Sequence, residues 1–546
     1  MKEGFRQSMA WLHTWTGLVV GWVLFFVFVT GTAGYVTNEI SRWMRPELPL
    51  VERLQDVDRG AALELALSRL ERDGLNAKNW SIELPHYDQG ARQVHGLEIA
   101  WEEMPERGQT WGRYNSEELD FRTGEVKEAV ETRSTGGGSL LYRMHYALHY
   151  IPYDVAIRLV GVCTMLMLLA IVSGVITHKK IFKDFFTFRP GKGQRSWLDA
   201  HNIISVMALP FFLMITYSGL VFFPSQYMPA ALDTLYGSSD AGRTKFYDEI
   251  FDRNTGEVYL PVSKPAVSLA SVLAKAEAQW GEGSVASLSV SHPEKEGAYI
   301  DVHKLKGGQL QVYEAPTLRF SAEDGQPMIR EEKGTAATET RNVILSLHEG
   351  RFADWWLRWL YLLSGLLGCG MIGTGLVLWT VKRRGRHLKK DAASRFDAAG
   401  LRLVEILNAG TIVGLPVAVA AYFWANRLLP VDMAERADWE AHSLFLVWGW
   451  TFVYAALRPV KKAWLEILWI AVVAYALLPL LNALTTDKHL GVTVPYGDWV
   501  LAGFDLTMFA LAGLFAYAAF KLKKKWLKVE AAENAAKATV KGAVTQ

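Results

Sequence analysis

Cysteine and charge are both scarce in this chain. Only two of its 546 residues are cysteines, Cys163 and Cys369, and both lie inside long apolar runs. This excludes a disulfide scaffold and argues against a cysteine-based metal site. Charged residues make up only 21% of the chain, and 58 basic residues nearly balance 56 acidic ones, so nothing indicates a nucleic-acid partner. The mean hydropathy of +0.09 excludes a disordered protein and most soluble enzymes.

Long apolar runs are abundant and determine the fold class. A hydrocarbon core of about 30 Å needs about 20 helical residues to cross it. Eight runs approach or exceed that length, at about 11–36, 155–177, 202–223, 357–380, 401–424, 441–457, 463–484 and 499–520. The first is too long for a signal-peptide core and is interpreted as a retained helix. The sequence therefore predicts a polytopic α-helical membrane protein with eight transmembrane helices.

Basic residues predict the orientation, because short cytoplasmic loops are rich in lysine and arginine. With eight spans, every basic cluster falls on the side of the N-terminus, which carries Lys2 and Arg6. The clusters are Lys179, Lys180, Lys183, Arg189, Lys192 and Arg195; Lys382, Arg383, Arg384, Arg386, Lys389 and Lys390; Arg458, Lys461 and Lys462; and Lys521, Lys523, Lys524 and Lys525. Both termini are therefore predicted to be cytoplasmic.

Two large insertions then face the opposite side of the membrane. Each begins with an amphipathic helical pattern, at 61–67 and 268–273, and continues with alternating stretches such as 80–84 and 298–302. Each is predicted to be a small α+β domain. The predicted segments are 1–36 (first helix), 37–150 (first domain), 151–223 (second and third helices with a basic loop), 224–350 (second domain), 351–390 (fourth helix and basic loop), 391–528 (an appended four-helix bundle) and 529–546 (a cytoplasmic tail).

The first four helices and their insertions contain an internal repeat. His13 precedes Thr30-Gly31 by the same spacing at which His201 precedes Ser218-Gly219. Further matching positions are Leu148-His149 with Leu347-His348, Arg158 with Arg358, and Ser173-Gly174 with Thr374-Gly375. Parallel repeats of this kind predict a pseudo-twofold axis along the membrane normal.

Histidines at the ends of these helices suggest a cofactor. They are His13, His178 and His201 at the cytoplasmic edge, and His145, His149 and His348 at the outer edge. A haem between helices needs two axial imidazoles from different segments that face an apolar gap. The repeat offers two such pairs, His13 with His201 and His149 with His348, and hence two haem b groups.

Two further histidines are rival ligands. His145 lies one helical turn before His149 and faces the same side. It therefore either binds the iron in place of His149 or orients a ligand without binding the iron itself. His178 has no counterpart in the repeat, where Trp379 occupies the matching position. The choice of ligands at both faces stays open at this point.

Several motifs resemble the PepSY-associated transmembrane proteins. They are WLHTWTGL at 11–18, MHYALH at 144–149, THKKIFKDFF at 177–186, SWLDAHN at 196–202 and GTGLVLW at 373–379. The resemblance covers about residues 1–390 and implies that both insertions are PepSY-like periplasmic domains. Some members of that family are inner-membrane haem proteins that reduce ferric siderophores. The resemblance therefore implies a ferric-siderophore reductase in the bacterial inner membrane.

The sequence predicts that the electrons come from outside this chain. The pattern at 368–373 fits G-x-G-x-x-G but lies inside an apolar run, so close helix packing explains it better than nucleotide binding. The electrons are then expected from a membrane quinol or a separate cytoplasmic reductase.

Two other functions are alternatives to siderophore reduction. One is a haem protein that serves another periplasmic acceptor. The other is a non-enzymatic module whose outer domains bind or regulate a periplasmic protein.

Overall fold

The structure is a computed structural model, and it describes residues 4–50, 57–88, 93–106, 112–178, 187–250, 258–305, 316–329, 336–387 and 395–544. The chain divides into a membrane unit (Met1–Leu50, Thr132–Leu220 and Leu360–Gln546) and a sheet unit (Val51–Glu131 and Val221–Trp359). Five residues of the predicted basic loops, Lys179, Lys180, Lys183, Lys389 and Lys390, lie outside the described residues.

Helices make up most of the described chain. In order they are α1 (Phe5–Gly34), α2 (Thr37–Trp43), α3 (Arg59–Asp73), α4 (Gly137–Ala147), α5 (Tyr153–Thr177), α6 (Gln194–Met207), α7 (Leu209–Val221), α8 (Pro224–Tyr227), α9 (Ala230–Tyr236), α10 (Asp240–Ile250), α11 (Leu269–Trp280), α12 (Ala336–Glu349), α13 (Trp355–His387), α14 (Arg395–Ala409), α15 (Leu415–Leu428), α16 (Arg436–Leu457), α17 (Val460–Thr485), α18 (Leu490–Tyr496) and α19 (Trp499–Val544). A π-helical turn at Gly410–Gly414 joins α14 to α15.

Each predicted apolar run lies on a helix, but the predicted count of eight spans is not confirmed. Six helices in the described chain are long and apolar enough to cross a membrane: Phe5–Gly34, Tyr153–Thr177, Trp355–Gly385, Asp397–Leu428, Val460–Thr485 and Trp499–Lys528. The pair α6 and α7, bent by 67°, is a seventh if it counts as one span. Pro210 explains the bend, because it has no N–H and its ring collides with the preceding turn. The run at 441–457 is not among these helices, because the polar residues His442, Ser443 and Thr451 interrupt its apolar character.

The last helices belong to the same unit as the first ones, so they are not a separate appended domain. A buried polar network joins them to α2 and to the segment before α4. Asp505 on α19 accepts hydrogen bonds from Trp43 Nε1 and from Asn482 Nδ2, each at 3.0 Å. Asn482 also accepts from Arg427 Nε at 3.0 Å. The carboxylate inside the bundle is thus satisfied by neighbouring helices, as an intramembrane acid requires.

The described residues of the sheet unit form nine short strands. They are β1 (Ala77–Glu83), β2 (His86–Asp88), β3 (Gln93–His95), β4 (Leu97–Glu103), β5 (Tyr114–Leu119), β6 (Val285–Ser291), β7 (Tyr299–Lys304), β8 (Thr317–Ser321) and β9 (Pro327–Met328). Seven form one antiparallel sheet in the order β5-β4-β1-β6-β7-β8-β9, and β2 and β3 form a separate hairpin. The α+β character that the alternating patterns predict is therefore present.

The two insertions share this sheet, whereas the sequence predicts two separate small domains. Strand β1 of the first insertion pairs with β6 of the second, with Trp80 opposite Val290 and Ile82 opposite Leu288. Helices α3 and α11 cover the sheet through a common apolar core. Pairing of β1 with β6 removes an exposed edge from each half, which is the physical reason for a joint sheet. The bounds shift too, because 37–50 and 132–150 belong to the membrane unit.

Candidate functional site: a histidine pair between helices

His13 on α1 and His201 on α6 lie together inside the membrane unit. Their ring centroids are 6.2 Å apart with planes at 61°. Both side chains are half-buried. This is one of the two pairs that the repeat predicts, and the structure places the two rings next to each other.

A backbone carbonyl of a neighbouring helix fixes each ring. His13 Nδ1 lies 2.8 Å from the carbonyl oxygen of Ala170 on α5, and His201 Nδ1 lies 2.9 Å from that of Met371 on α13. A carbonyl only accepts, so Nδ1 carries the proton in both rings. The lone pair is then on Nε2, and within the described chain no hydrogen bond uses it. This is the tautomer in which a histidine binds a metal, with its second nitrogen held by an oxygen acceptor.

The Ser/Thr-Gly motifs of the repeat form these anchoring points. Ser173 Oγ donates to the carbonyls of Leu169 and Ala170 at 2.7 and 3.1 Å. Thr374 Oγ1 donates to those of Gly370 and Met371 at 2.7 and 3.0 Å. Each hydroxyl therefore bonds back to its own helix. Thr374 Oγ1 also lies 3.3 Å from His201 Nδ1, so it is a second oxygen acceptor for that N–H beside the Met371 carbonyl.

The glycine of each motif lets the ring approach the helix backbone. A Cβ at Gly174 would lie 3.1 Å from His13 Cε1, and a Cβ at Gly375 would lie 3.2 Å from His201 Cε1. Any larger residue would push the ring away from the carbonyl. The glycine of the motif therefore allows the contact between ring and backbone, which the spacing in the sequence does not show.

His145 has the same arrangement at another level of α1. Its Nδ1 lies 2.8 Å from the carbonyl of Val27, and Thr30 Oγ1 donates to the carbonyls of Phe26 and Val27 at 2.8 and 3.2 Å. A Cβ at Gly31 would lie 2.5 Å from His145 Nδ1. Since His13 and Val27 are fourteen residues apart on α1, the two levels are separated by about 21 Å along the helix.

His149 and His178 have different surroundings. His149 lies beyond the end of α4, stacked on Phe445 at 5.4 Å and beside Tyr150 at 4.2 Å. His178 Nε2 lies 2.9 Å from Asn202 Nδ2, so its lone pair accepts a hydrogen bond from the amide. Neither has a carbonyl anchor like those of His13, His145 and His201. His348 belongs to the sheet unit, on the last turn of α12, with its ring 5.1 Å from Phe222.

Small residues and unsatisfied donors surround the His13–His201 pair. Gly17, one turn after His13, has no atom within 4 Å of the position of a Cβ. Ser205, one turn after His201, and Trp379, one turn after Gly375, each have a buried polar atom (Oγ and Nε1) without a hydrogen-bond partner in the described chain. Arg383 lies over the ring of Trp379 at 4.3 Å. The site therefore offers open space, two spare donors and a nearby cation.

Other glycines of these helices serve helix packing. A Cβ at Gly368 would lie 2.2 Å from Phe28, and one at Gly365 would lie 2.4 Å from Thr32. Both face α1 at close range. This is the small-residue packing expected between membrane helices, and it also accounts for the glycine-rich pattern at 368–373.

Comparison with known proteins gives two matches. Residues 10–382 match the family described as the PepSY-associated TM region. An uncharacterised protein of Pseudomonas aeruginosa is 23% identical over 431 residues, which cover 74% of this chain and 98% of that protein.

Proposed function

Since the chain belongs to the family of proteins with a PepSY-associated TM region, we propose that it is a haem-containing membrane electron carrier that reduces ferric siderophores. The observation that supports this best is the His13–His201 pair. A metal held between two imidazole nitrogens at about 2 Å from each places the ring centroids roughly 6 Å apart. The separation of 6.2 Å in this chain agrees with that value.

The residues around the pair also suit a haem. His13 and His201 would hold the haem iron, which would supply one-electron redox chemistry. The free hydroxyl of Ser205 and the indole N–H of Trp379 would donate to polar groups of the cofactor, and Arg383 would balance their negative charge. The carbonyls of Ala170 and Met371 hold the two rings in the ligating tautomer.

We propose that His145 is a ligand of a second haem near the opposite face, and the sequence repeat makes His348 the candidate for its partner. His145 has the same carbonyl, threonine and glycine arrangement as the first pair. His145 and His348 each lie on the last turn of the short helix that precedes a long apolar one, so the repeat relates them at least as well as it relates His149 to His348. The assignment of His348 rests on the sequence repeat.

The direction of electron flow follows from the predicted orientation. The basic clusters support an orientation in which His13 and His201 lie near the cytoplasmic side of a bacterial inner membrane and the two insertions lie in the periplasm. Electrons from a quinol or a cytoplasmic reductase would enter at the first pair and leave at the second. The acceptor would be a ferric siderophore or another periplasmic ferric complex, which releases its iron on reduction because Fe²⁺ binds hard oxygen donors more weakly than Fe³⁺.

Anaerobic reoxidation tests this function directly. Detergent-purified protein is reduced with dithionite, freed of excess reductant, and mixed with a panel of ferric siderophores while the visible spectrum is followed. We expect reoxidation with formation of Fe²⁺, trapped by a ferrous chelator. Reoxidation by a non-siderophore acceptor alone would reassign the substrate. A colourless protein after expression with ample haem supply would favour the non-enzymatic binding module instead.

A further inference from the structure

The sheet unit contains a second cluster of histidines, far from the haem proposal in sequence. Glu83 ends strand β1, and His86 and His95 lie on the hairpin formed by β2 and β3. His86 and His95 are directly paired across that hairpin, and their rings stack with centroids 4.7 Å apart at an angle of 2°. One ligand atom from each of the three residues lies within 4.8 Å of the others.

The two imidazoles have different surroundings at Nδ1. His86 Nδ1 lies 2.8 Å from the carbonyl oxygen of Leu84, which only accepts, so this nitrogen carries a proton and the lone pair of His86 is on Nε2. His95 Nδ1 lies 2.8 Å from Glu83 Oε1. A metal would take the place of the proton that these two atoms share, because a metal on Nε2 of His95 would lie on the side of the ring away from Glu83.

The strand register places further negative charge beside the cluster. Glu83 lies opposite Glu98, and Glu98 lies opposite Glu118, across three adjacent strands. Directly paired residues project from the same face of a sheet, and like charges in that position are destabilising. Lys127 balances Glu118 at 3.2 Å. A cation at the cluster would offset the remaining charge of this row.

We propose that Glu83, His86 and His95 form a binding site for a divalent first-row transition metal in the sheet unit. Two imidazoles and one carboxylate select Zn²⁺ or Fe²⁺ over Ca²⁺ and Mg²⁺, which prefer sites made of oxygen alone. Ligand nitrogens around Zn²⁺ are roughly 3.3 Å apart, given bond lengths of about 2.0–2.1 Å. The three ligand atoms, which lie within 4.8 Å of one another, would draw together to that spacing when the metal binds. The proposal does not depend on haem or on siderophore reduction.

Zinc titration of the full-length protein tests the site. Untagged, chelator-treated protein is titrated with Zn²⁺ by calorimetry, alone and with a thousandfold excess of Mg²⁺. The wild type should bind one more Zn²⁺ per chain than His86→Ala or His95→Ala. Glu83→Gln, which removes the anionic ligand, should weaken that binding at least about tenfold. Excess Mg²⁺ should not displace it. The affinities should rank Zn²⁺ above Fe²⁺ above Mn²⁺, with Fe²⁺ measured anaerobically.

Two controls distinguish metal binding from loss of structure. His303→Ala removes a histidine of the same unit, whose ring bonds to Ser289 and Thr317, and should leave the extra Zn²⁺ in place. His86→Asp keeps a ligand and should recover binding that His86→Ala loses. Zn²⁺ should also raise the melting temperature of the wild type but not of His86→Ala. Equal Zn²⁺ stoichiometry in the wild type, His86→Ala and His95→Ala would overturn the proposal.

Discussion

At the residue scale, a backbone carbonyl that accepts from Nδ1 distinguishes His145 from His149 as a candidate haem ligand. His145 is held by the carbonyl of Val27, whereas His149 stacks on Phe445 beyond the end of its helix. We therefore expect His145→Ala to lose one haem per chain and His149→Ala to retain it. Pyridine-haemochrome quantification of both purified variants checks this. Loss of haem from His149→Ala alone would restore the pair that the sequence first suggested.

The glycines under the anchored rings give a second prediction. In Gly31→Ala the new Cβ would lie 2.5 Å from His145 Nδ1, so the ring must leave the Val27 carbonyl. We expect a shifted haem spectrum and a lower melting temperature. Gly513→Ala, on α19 with no atom within 4 Å of its Cβ position, is the matched control. It should keep the spectrum and gain up to about 1 kcal/mol of helix propensity. Identical behaviour of both variants would contradict the anchor.

The pair of Glu83 and His95 predicts a pH dependence of stability. The hydrogen bond to Glu83 raises the pKa of His95 above its ordinary value. A raised folded-state pKa stabilises the protein below the unfolded value of about 6.5, and the contribution is lost as pH rises through the folded pKa. Glu83→Gln should therefore lower the melting temperature more at pH 5.5 than at pH 9, measured with a chelator present. Glu125→Gln, at an exposed site of the same unit, is the control. An equal loss at both pH values would show that the hydrogen bond does not affect the protonation of His95.

At the scale of elements, the sequence located the long apolar helices, but not their ends, their partners or how many of them are long and apolar enough to cross a membrane. The run at 155–177 became Tyr153–Thr177, because apolar length determines where a helix crosses. The run at 357–380 became Trp355–His387, because backbone hydrogen bonds continue past the last apolar residue into the basic segment. The joint sheet was not predictable, since nothing in the local pattern of β1 or β6 specifies a partner some 200 residues away.

The same contrast applies to the candidate site. The repeat identified His13, His201 and the Ser/Thr-Gly motifs from spacing alone. It could not reveal that each glycine lies under a ring, because that contact joins different helices. The preference for His145 over His149 also depends on where α4 ends. Leu148 and Tyr150 have positive φ angles, which stop the helix just before His149.

Among the later helices, the ion pair of Arg436 and Glu440 gives a stability prediction. Both side chains are fully buried, and the glutamate also accepts from Asn426 Nδ2 at 2.7 Å. Removing one partner leaves an uncompensated buried charge, which costs about 3–5 kcal/mol. Glu440→Ala should therefore lower the melting temperature in detergent markedly, and the double variant Arg436→Leu/Glu440→Leu should lower it less. A double variant that is as unstable as Glu440→Ala would contradict this explanation.

At the scale of the whole molecule, the proposal requires two redox sites at different depths. His13 and the anchor of His145, the carbonyl of Val27, are about 21 Å apart along α1. This separation suits a chain that moves electrons from one face of a membrane to the other. A binding module without redox function would not require three histidines that are held in the metal-binding tautomer and that each lie over a glycine.

The reduced-minus-oxidised visible spectrum, with haem quantified per chain, tests the central claim most directly. The detergent-purified wild type should show sharp low-spin b-type bands at about two haems per chain. The double variant His13→Ala/His201→Ala should lose one of the two haems. His442→Ala is the control and should keep both, since Nδ1 of His442 contacts the hydroxyl of Tyr150. A wild type without haem despite ample supply, or a double variant with an unchanged spectrum, would contradict the account.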